Sequence, residues 1–248
     1  MQIYESADAV ALVGSAIARQ VLSAAIAENG RARAIFATGR SQVNFLKHLT
    51  DSTAHPSLNW SKITGFHLDE YLGIAANHPA SFRRYLQTHL TSQVDLDQWH
   101  NLEGDGLQPL SICQQYEMLL RADPIDLCCL GIGNNGHLAF NDPAVANFTD
   151  PRWVKIVRLD EKNRLQQVES SAFESIETMP QYAFTLTLSA IQAARHSLCL
   201  AYGESKSDII AKTLTGSIDI SCPASMLRQT AQAILLLDDA AARKFIDS

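Results

Sequence analysis

The chain of 248 residues carries a net charge of −6, with 46% hydrophobic and 19% charged residues, which is the ordinary composition of a soluble globular protein. Its 20 Lys and Arg residues form no basic run, so nucleic acid is not an expected partner. This length can bury a full core as one large α/β domain or two small ones. Because no repeat, low-complexity tract or linker divides the chain, we expect one domain over residues 1–248.

The five cysteines show neither a CxxC pair nor the spacing of a zinc site. Cys128, Cys129 and Cys199 lie in apolar runs, where a free thiol behaves as a small hydrophobic group. Reduced cysteines are typical of the cytoplasm. The N-terminus does not resemble a signal peptide, and we expect no apolar run long enough to cross a bilayer. The sequence therefore predicts a cytoplasmic protein without a membrane or metal partner.

The predicted elements alternate between helices and strands. Apolar residues at helical spacing over residues 8–28, followed by Asn29 and Gly30, predict the first helix. The following segments predict helices at residues 42–49, 81–90, 110–121 and 205–213, and strands at residues 34–37, 62–68, 99–102, 126–131, 154–157, 183–188, 197–202 and 233–237. The strand segments are apolar throughout rather than alternating, which is typical of a mainly parallel sheet with helices on both faces. The expected fold class is α/β.

The turn between the second predicted helix and the strand before it has the sequence Thr38-Gly39-Arg40-Ser41. Such a turn directs backbone N–H groups and the positive end of the helix dipole toward the edge of the sheet, which favours a phosphate. Thr38 and Ser41 add hydroxyl donors, and Arg40 adds positive charge. An ordinary turn with a serine cap has the same pattern, so this turn alone does not establish a phosphate site.

Two adjacent carboxylates, Asp69 and Glu70, follow the strand predicted at residues 62–68. The pair is compatible with a metal site, an acid–base site or a solvated turn. Side chains alternate along an extended chain, so the two carboxylates cannot both face the same way. We expect only one of them to be catalytic.

A glycine-rich segment, Leu130–Pro143, follows another apolar strand and contains His137 and Asp142. Its glycines allow tight turns and the close approach of a ligand. It does not open a helix with an acidic residue about 20 positions on, as a dinucleotide-binding unit does. A histidine at such a strand end suits proton transfer at neutral pH, since its ordinary pKa is about 6.5.

Three segments, Phe66–Gly73, Leu130–Pro143 and Met179–Leu188, resemble the glucosamine-6-phosphate deaminases, also called glucosamine-6-phosphate isomerases. The resemblance extends to Tyr202–Lys206 and Ser221–Ala224, and so covers nearly the whole chain. The strings LDEY at residues 68–71 and GHLAFNDP at residues 136–143 are its most specific parts. The related 6-phosphogluconolactonases share the glycine–histidine segment, but Ala-Phe-Asn-Asp-Pro is not expected after their histidine.

The resemblance implies a modified Rossmann-like fold and the conversion of glucosamine 6-phosphate and water to fructose 6-phosphate and ammonia, without a cofactor. It implies that Asp69 moves a proton between C2 and C1 of the sugar. His137 is implied to open the pyranose ring, with Asn135 and Asp142 as its supporting relay. The residues that the resemblance implies at the phosphate are Thr38, Gly39, Arg40, Ser41, Arg164 and Lys206.

Two positions differ from well-known family members: Arg40 stands where they carry Gly or Ser, and Asn135 where some carry Asp. Galactosamine 6-phosphate stays open as a substrate, because Arg40 could reshape the sugar pocket. The sequence is also compatible with a sugar-lactone hydrolase and with a sugar-phosphate-sensing module, although retention of Asp69 and His137 argues against the sensor. The chain lacks the longer tail of allosterically regulated members, so we expect no activation by N-acetylglucosamine 6-phosphate. A monomer and a homo-oligomer are both compatible with the sequence.

Overall fold

The computed structural model describes residues 1–54, 57–169 and 173–247. Within them the strands are β1 (Gln2–Tyr4), β2 (Ala32–Phe36), β3 (Ile63–His67), β4 (Asp69–Tyr71), β5 (Gln98–His100), β6 (Leu127–Gly131), β7 (Val154–Arg158), β8 (Tyr182–Leu186), β9 (His196–Ala201) and β10 (Ala233–Asp238). The α-helices are α1 (Ala7–Asn29), α2 (Arg40–Leu49), α3 (Phe82–Leu86), α4 (Pro109–Arg121), α5 (Glu161–Glu169), α6 (Leu188–Gln192), α7 (Ser207–Thr215) and α8 (Asp239–Ile246).

Seven strands form a wholly parallel sheet in the order β1-β10-β9-β6-β2-β3-β5. Each interior strand sends alternate side chains to two hydrophobic clusters, one on each face. In β2, Ala34 and Phe36 pack with α1 and α2, whereas Ile35 packs on the opposite face with α4, α6, α7 and α8. This burial on both faces explains the continuous apolar strands, and it confirms the prediction of a mainly parallel α/β sheet with helices on both sides.

The sequence pattern does not predict the second sheet, in which β4, β8 and β7 are antiparallel. Leu68 connects the two sheets, because its N–H donates to Phe36 of β2 and its carbonyl accepts from Leu186 of β8. The chain therefore leaves β3 and enters β4 within one residue. Strand β4 has only three residues, which is too short for a period to show in the sequence.

Several predicted boundaries differ from the structure by one or two residues, and in two of the elements part of the segment has another conformation. The strand predicted at residues 183–188 ends at Leu186, because the Thr187 hydroxyl accepts a hydrogen bond from the Ala190 N–H and begins helix α6. The helix predicted at residues 81–90 is α-helical only to Leu86 and continues as a π-helical turn, Gln87–Thr91. Thr187 and Leu188 suit the end of a strand as well as the start of a helix, so the sequence could not show that the strand ends at Leu186.

Helix α1 ends at Asn29 and is capped by Gly30, whose φ of 74° is the left-handed conformation expected of a glycine cap. By length and composition this helix could cross a membrane, with a mean hydropathy of 1.7. The expectation that no apolar run is long enough to cross a bilayer was therefore wrong. In the structure its buried face packs on α2 and on the parallel sheet, which is the other role that a long apolar helix can have.

The strand order places one crevice at the carboxyl edge of the parallel sheet. After β2 the chain proceeds to β3 and β5 on one side, and then returns to β6 on the other side of β2. The connections after β2 and β6 therefore leave the sheet in opposite directions. Ligands of open α/β sheets bind at such a switch point.

Candidate active site

The turn after β2 lies at this switch point. Gly39 precedes α2 with φ of 106°, a conformation that favours glycine, and no side chain caps the helix. The N–H groups of Arg40 and Ser41, at the start of α2, have no partner within the helix. A Cβ added to Gly131, at the end of β6, would lie 2.9 Å from Ser41 Oγ, so the turn and the glycine-rich segment are in contact.

The structure separates the roles of the two adjacent carboxylates. Glu70 accepts hydrogen bonds from the Ser81 hydroxyl at 2.7 Å and from the N–H groups of Tyr71, Phe82 and Arg83 at 2.9 to 3.1 Å. It therefore anchors the beginning of α3. Among the described residues we find no hydrogen bond to the carboxylate of Asp69, which is only 6% exposed. The alternation along β4 thus places the two side chains in different surroundings.

The environment of Asp69 favours its neutral form. Burial, followed by the nearby negative charge of Glu70, raises the pKa of Asp69 well above its ordinary value. A carboxylate with such a raised pKa binds a proton more strongly than a solvated one does. Once the carboxylate is ionised, this raised proton affinity makes it a stronger general base.

The glycine-rich segment places His137 against the backbone. A Cβ on Gly133 would lie 2.1 Å from the imidazole ring of His137, so only glycine leaves room for the ring there. Gly136 has φ of 85° and its carbonyl accepts from the Ala224 N–H at 2.7 Å. The segment is therefore held at both glycines, and the ring is about one quarter exposed.

The side chains of Asn135, His137 and Asp142 contact one another. The Nδ1 atom of His137 lies 2.8 Å from Asn135 Oδ1 and 2.9 Å from Asp142 Oδ1. The amide nitrogen of Asn135 donates to Asp142 Oδ1 at 2.8 Å, which directs its oxygen toward the ring. Both partners of Nδ1 are acceptors, so Nδ1 carries the proton. In the neutral ring, Nε2 is then the basic nitrogen.

Lys206 is tied to the same segment. Its ammonium donates to the Ile132 carbonyl at 2.7 Å and to Asn134 Oδ1 at 2.6 Å. An ammonium has three donors, so one further N–H is available to a ligand. Burial lowers the pKa of Lys206, a desolvation that an anionic ligand would offset.

Arg164 lies beside His137 rather than in the turn after β2. Together with His137 it lines a pocket whose other lining residues are Tyr71, Phe140, Leu159, Gln167 and Met179. Its guanidinium donates to the carbonyls of Ile176, Met179 and Pro180. In this structure it therefore holds the segment before β8 against α5, and its contact with phosphate stays a prediction.

Sequence reasoning missed the aromatic cluster at this pocket, in which Tyr71 and Phe140 line the pocket and Phe82 packs against them. Tyr71 contacts Phe140 at a ring distance of 5.3 Å, and Phe82 stacks on Phe140 at 5.7 Å. Tyr71 belongs to the LDEY string, and its position two residues after Asp69 on a strand could have indicated that both face the same side. Phe82 belongs to a separate helix and carries no comparable signal.

Known proteins resemble the chain over most of its length. The family described as glucosamine-6-phosphate isomerases/6-phosphogluconolactonase matches residues 5–236. A glucosamine-6-phosphate deaminase of Shewanella woodyi is 34% identical over 216 residues, which cover 85% of this chain and 79% of that protein. A glucosamine-6-phosphate deaminase of Listeria monocytogenes is 31% identical over 231 residues, covering 93% of this chain and 95% of that protein.

Solved structures share the fold. A monomeric glucosamine-6-phosphate deaminase superposes with a TM-score of 0.89 at 26% identity and covers 98% of both chains. A 6-phosphogluconolactonase from Shewanella baltica reaches a TM-score of 0.77 at 18% identity over 96% of both chains, a likeness of fold alone. The chain thus belongs to the family of glucosamine-6-phosphate isomerases and 6-phosphogluconolactonases.

Proposed function

We propose that this protein is a glucosamine-6-phosphate deaminase, which converts glucosamine 6-phosphate and water to fructose 6-phosphate and ammonia. The observation that carries the proposal is the arrangement at the carboxyl edge of the sheet. The neighbouring strands β9, β6, β2 and β3 lead directly to Lys206, His137, the turn at residues 38–41 and Asp69. The identity to named deaminases over most of the chain supports the same activity.

Ring opening is the first step, and His137 performs it. The basic Nε2 takes the proton of the anomeric hydroxyl and delivers it to the ring oxygen as the C1–O5 bond breaks. Asn135 and Asp142 keep the proton on Nδ1 and stabilise the ring while it is transiently charged. The product of this step is the open-chain aldehyde.

Isomerisation is the second step, and Asp69 performs it. Its carboxylate removes the proton from C2, the C1 oxygen takes a proton from the ammonium group on C2, and a neutral enolamine forms. Asp69 then returns its proton to C1, giving the ketimine, which water hydrolyses to fructose 6-phosphate and ammonia. Because no hydrogen bond in the described chain stabilises its charged form, this carboxylate is a stronger base than a solvated one.

The phosphate is bound by the start of α2 and by cationic side chains. The N–H groups of Arg40 and Ser41, with the hydroxyls of Thr38 and Ser41, supply donors to it. Lys206 adds its third N–H, and Arg40 adds a charge from the exposed side of the turn. Arg164 joins them if it releases the carbonyls before β8.

The test is the stoichiometric release of ammonia and fructose 6-phosphate from glucosamine 6-phosphate. We expect equal amounts of both products, with loss of both in the variant His137→Ala. Galactosamine 6-phosphate and 6-phosphogluconolactone are assayed alongside as competing candidate substrates. Hydrolysis of the lactone without ammonia release from either amino sugar would contradict the proposal.

We propose further that the protein acts in the cytoplasm as a monomer. All five cysteines are free and buried, which is compatible with a reducing compartment. The proposed catalytic groups Asp69 and His137, with the relay of Asn135 and Asp142, all come from one chain, and a solved deaminase of this fold is monomeric. Sedimentation at micromolar concentration tests this state, and a mass of twice 27.2 kDa or more would contradict it.

A further inference from the structure

Two tyrosines contact the carbonyls of the turn after β2. The Tyr85 hydroxyl, from α3, donates to the Gly39 carbonyl at 2.9 Å. The Tyr202 hydroxyl, directly after β9, donates to the Arg40 carbonyl. Tyr202 follows β9 of the parallel sheet, whereas Tyr85 lies in α3, which follows β4 of the antiparallel sheet. The turn is therefore held by two groups that are distant in sequence from it and from each other.

These contacts fix the N–H groups of the turn as well. The peptide unit is planar and trans, so its carbonyl and its N–H point in opposite directions. Fixing the carbonyl of Gly39 fixes the N–H of Arg40, and fixing the carbonyl of Arg40 fixes the N–H of Ser41. Burial raises the pKa of both tyrosines, which keeps their hydroxyls protonated and able to donate.

Gln42 has the equivalent effect on the Ser41 hydroxyl. The fully buried amide of Gln42 donates to the Leu130 carbonyl at 3.1 Å and to Ser41 Oγ at 3.0 Å. The carbonyl can only accept, which settles the orientation of the amide. Because Ser41 Oγ accepts the bond from Gln42, its own hydrogen is left to donate elsewhere.

We propose that Tyr85, Tyr202 and Gln42 are positioning residues, which set the two N–H groups and the Ser41 hydroxyl of the turn toward the phosphate of the substrate. The proposal rests on the phosphate site of the proposed function and adds how that site is shaped before binding. A site whose donors are already oriented loses less conformational freedom when the ligand binds. These residues therefore act on phosphate affinity and not on the chemistry at C1 and C2.

The experiment compares Tyr85→Phe, Tyr202→Phe and the double variant, with Tyr4→Phe as the matched control. The Tyr4 hydroxyl donates to the exposed side chain of Gln2. Binding of inorganic phosphate is measured by calorimetric titration, and KM and kcat are measured with glucosamine 6-phosphate. Loss of one such hydrogen bond is expected to weaken phosphate binding about two- to tenfold.

We expect KM to rise in parallel with the dissociation constant of phosphate, with kcat within about twofold of the unmodified protein and the largest effect in the double variant. Gln42→Met is also expected to raise KM and leave kcat nearly unchanged. If this buried change prevents folding, the tyrosine variants alone test the proposal. Unchanged phosphate binding in the double variant would overturn the proposal, as would a fall in kcat at constant KM.

The titration separates this proposal from the proposed function, because it needs no turnover. If phosphate binding weakens in the tyrosine variants while no variant releases ammonia, the positioning role stands and the deaminase activity does not. If the unmodified protein does not bind inorganic phosphate, the positioning role is overturned.

Discussion

At the residue scale, the proposed chemistry depends on the difference between Asp69 and Glu70. Both are buried, but only Glu70 is bound by several donors, and it anchors α3. A carboxylate that is already satisfied gains little by taking a proton from carbon. Asp69 has no such donors among the described residues, so it is the better base.

Asp69→Asn keeps the shape of the side chain and removes the base. We expect kcat with glucosamine 6-phosphate to fall by about 10²- to 10⁴-fold, while inorganic phosphate still binds. Glu204→Gln, on the protein surface, serves as the control. Retention of more than a tenth of the activity would exclude Asp69 as the base.

The same variant changes stability in a defined pH range. The folded pKa of Asp69 is raised, whereas the unfolded value is about 3.9. Above about pH 4 the unfolded chain has lost a proton that the native state retains, so native stability decreases as the pH rises toward the folded pKa. Asp69→Asn has no carboxyl group to titrate and therefore does not lose stability in this way. Its melting temperature should exceed that of the unmodified protein by a margin that grows above about pH 4. Melting curves from pH 4 to pH 8 would count against the raised pKa if the margin stayed constant.

The relay behind His137 gives a second prediction at this scale. In Asp142→Asn, an amide replaces the acceptor that faces both Asn135 Nδ2 and His137 Nδ1. We expect kcat to fall about 10- to 100-fold with KM little changed, since the imidazole loses the partner that orients it. Steady-state kinetics measure the split, with the surface change Asp219→Asn as the control. A rise in KM alone would mean that Asp142 serves binding and not the relay.

These residues could be singled out from the sequence because each follows a strand. His137, Asp69 and Ser41 all come after apolar strands, and parallel strands bring their carboxyl ends to one edge. The role of Glu70 could not be predicted, because its partners at the start of α3 are 11 to 13 residues away. The same holds for Tyr202, whose acceptor lies 162 residues earlier.

At the element scale, the turn before α2 depends on a left-handed glycine. Gly39→Ala places a side chain at φ of 106°, where no neighbouring atom blocks it, so that backbone strain is the main effect. We expect a loss of about 1–3 kcal/mol in the free energy of unfolding and a rise in KM for glucosamine 6-phosphate. Gly30→Ala, at φ of 74° at the end of α1, is the control. Gly30→Ala should also lose stability, but its KM should not change. If Gly39→Ala and Gly30→Ala have equal KM values, the turn before α2 does not contribute to phosphate binding.

The longest helix was predictable, whereas two short elements of the second sheet and its surroundings, β4 and α6, were not. The 23 residues of α1 repeat their apolar positions over six turns, so both ends were found within two residues. Strand β4 and helix α6 have three and five residues, and tertiary hydrogen bonds determine their conformation. The antiparallel sheet follows from pairings such as Asp69 with Thr185, which no local pattern encodes.

At the scale of the whole molecule, we propose that residues 1–248 form one domain. Leu68 bonds to both sheets, and the cluster that contains Cys128 and Leu130 of β6 also contains Phe184 and Leu186 of β8. A core shared between the sheets predicts one cooperative unfolding transition. Calorimetric and van't Hoff enthalpies should then agree, whereas two resolved transitions would show that the sheets unfold separately.

The central claim is that this fold isomerises and deaminates an amino sugar phosphate through Asp69. The most direct measurement is the reaction of glucosamine 6-phosphate in D₂O, with nuclear magnetic resonance of the fructose 6-phosphate formed. We predict ammonia release with one deuterium or less at C1, because a single carboxylate takes the proton from C2 and returns it or its exchanged counterpart to C1. Asp69→Asn should give neither product. Ammonia release that persists in this variant, or lactone hydrolysis as the only activity, would contradict the claim.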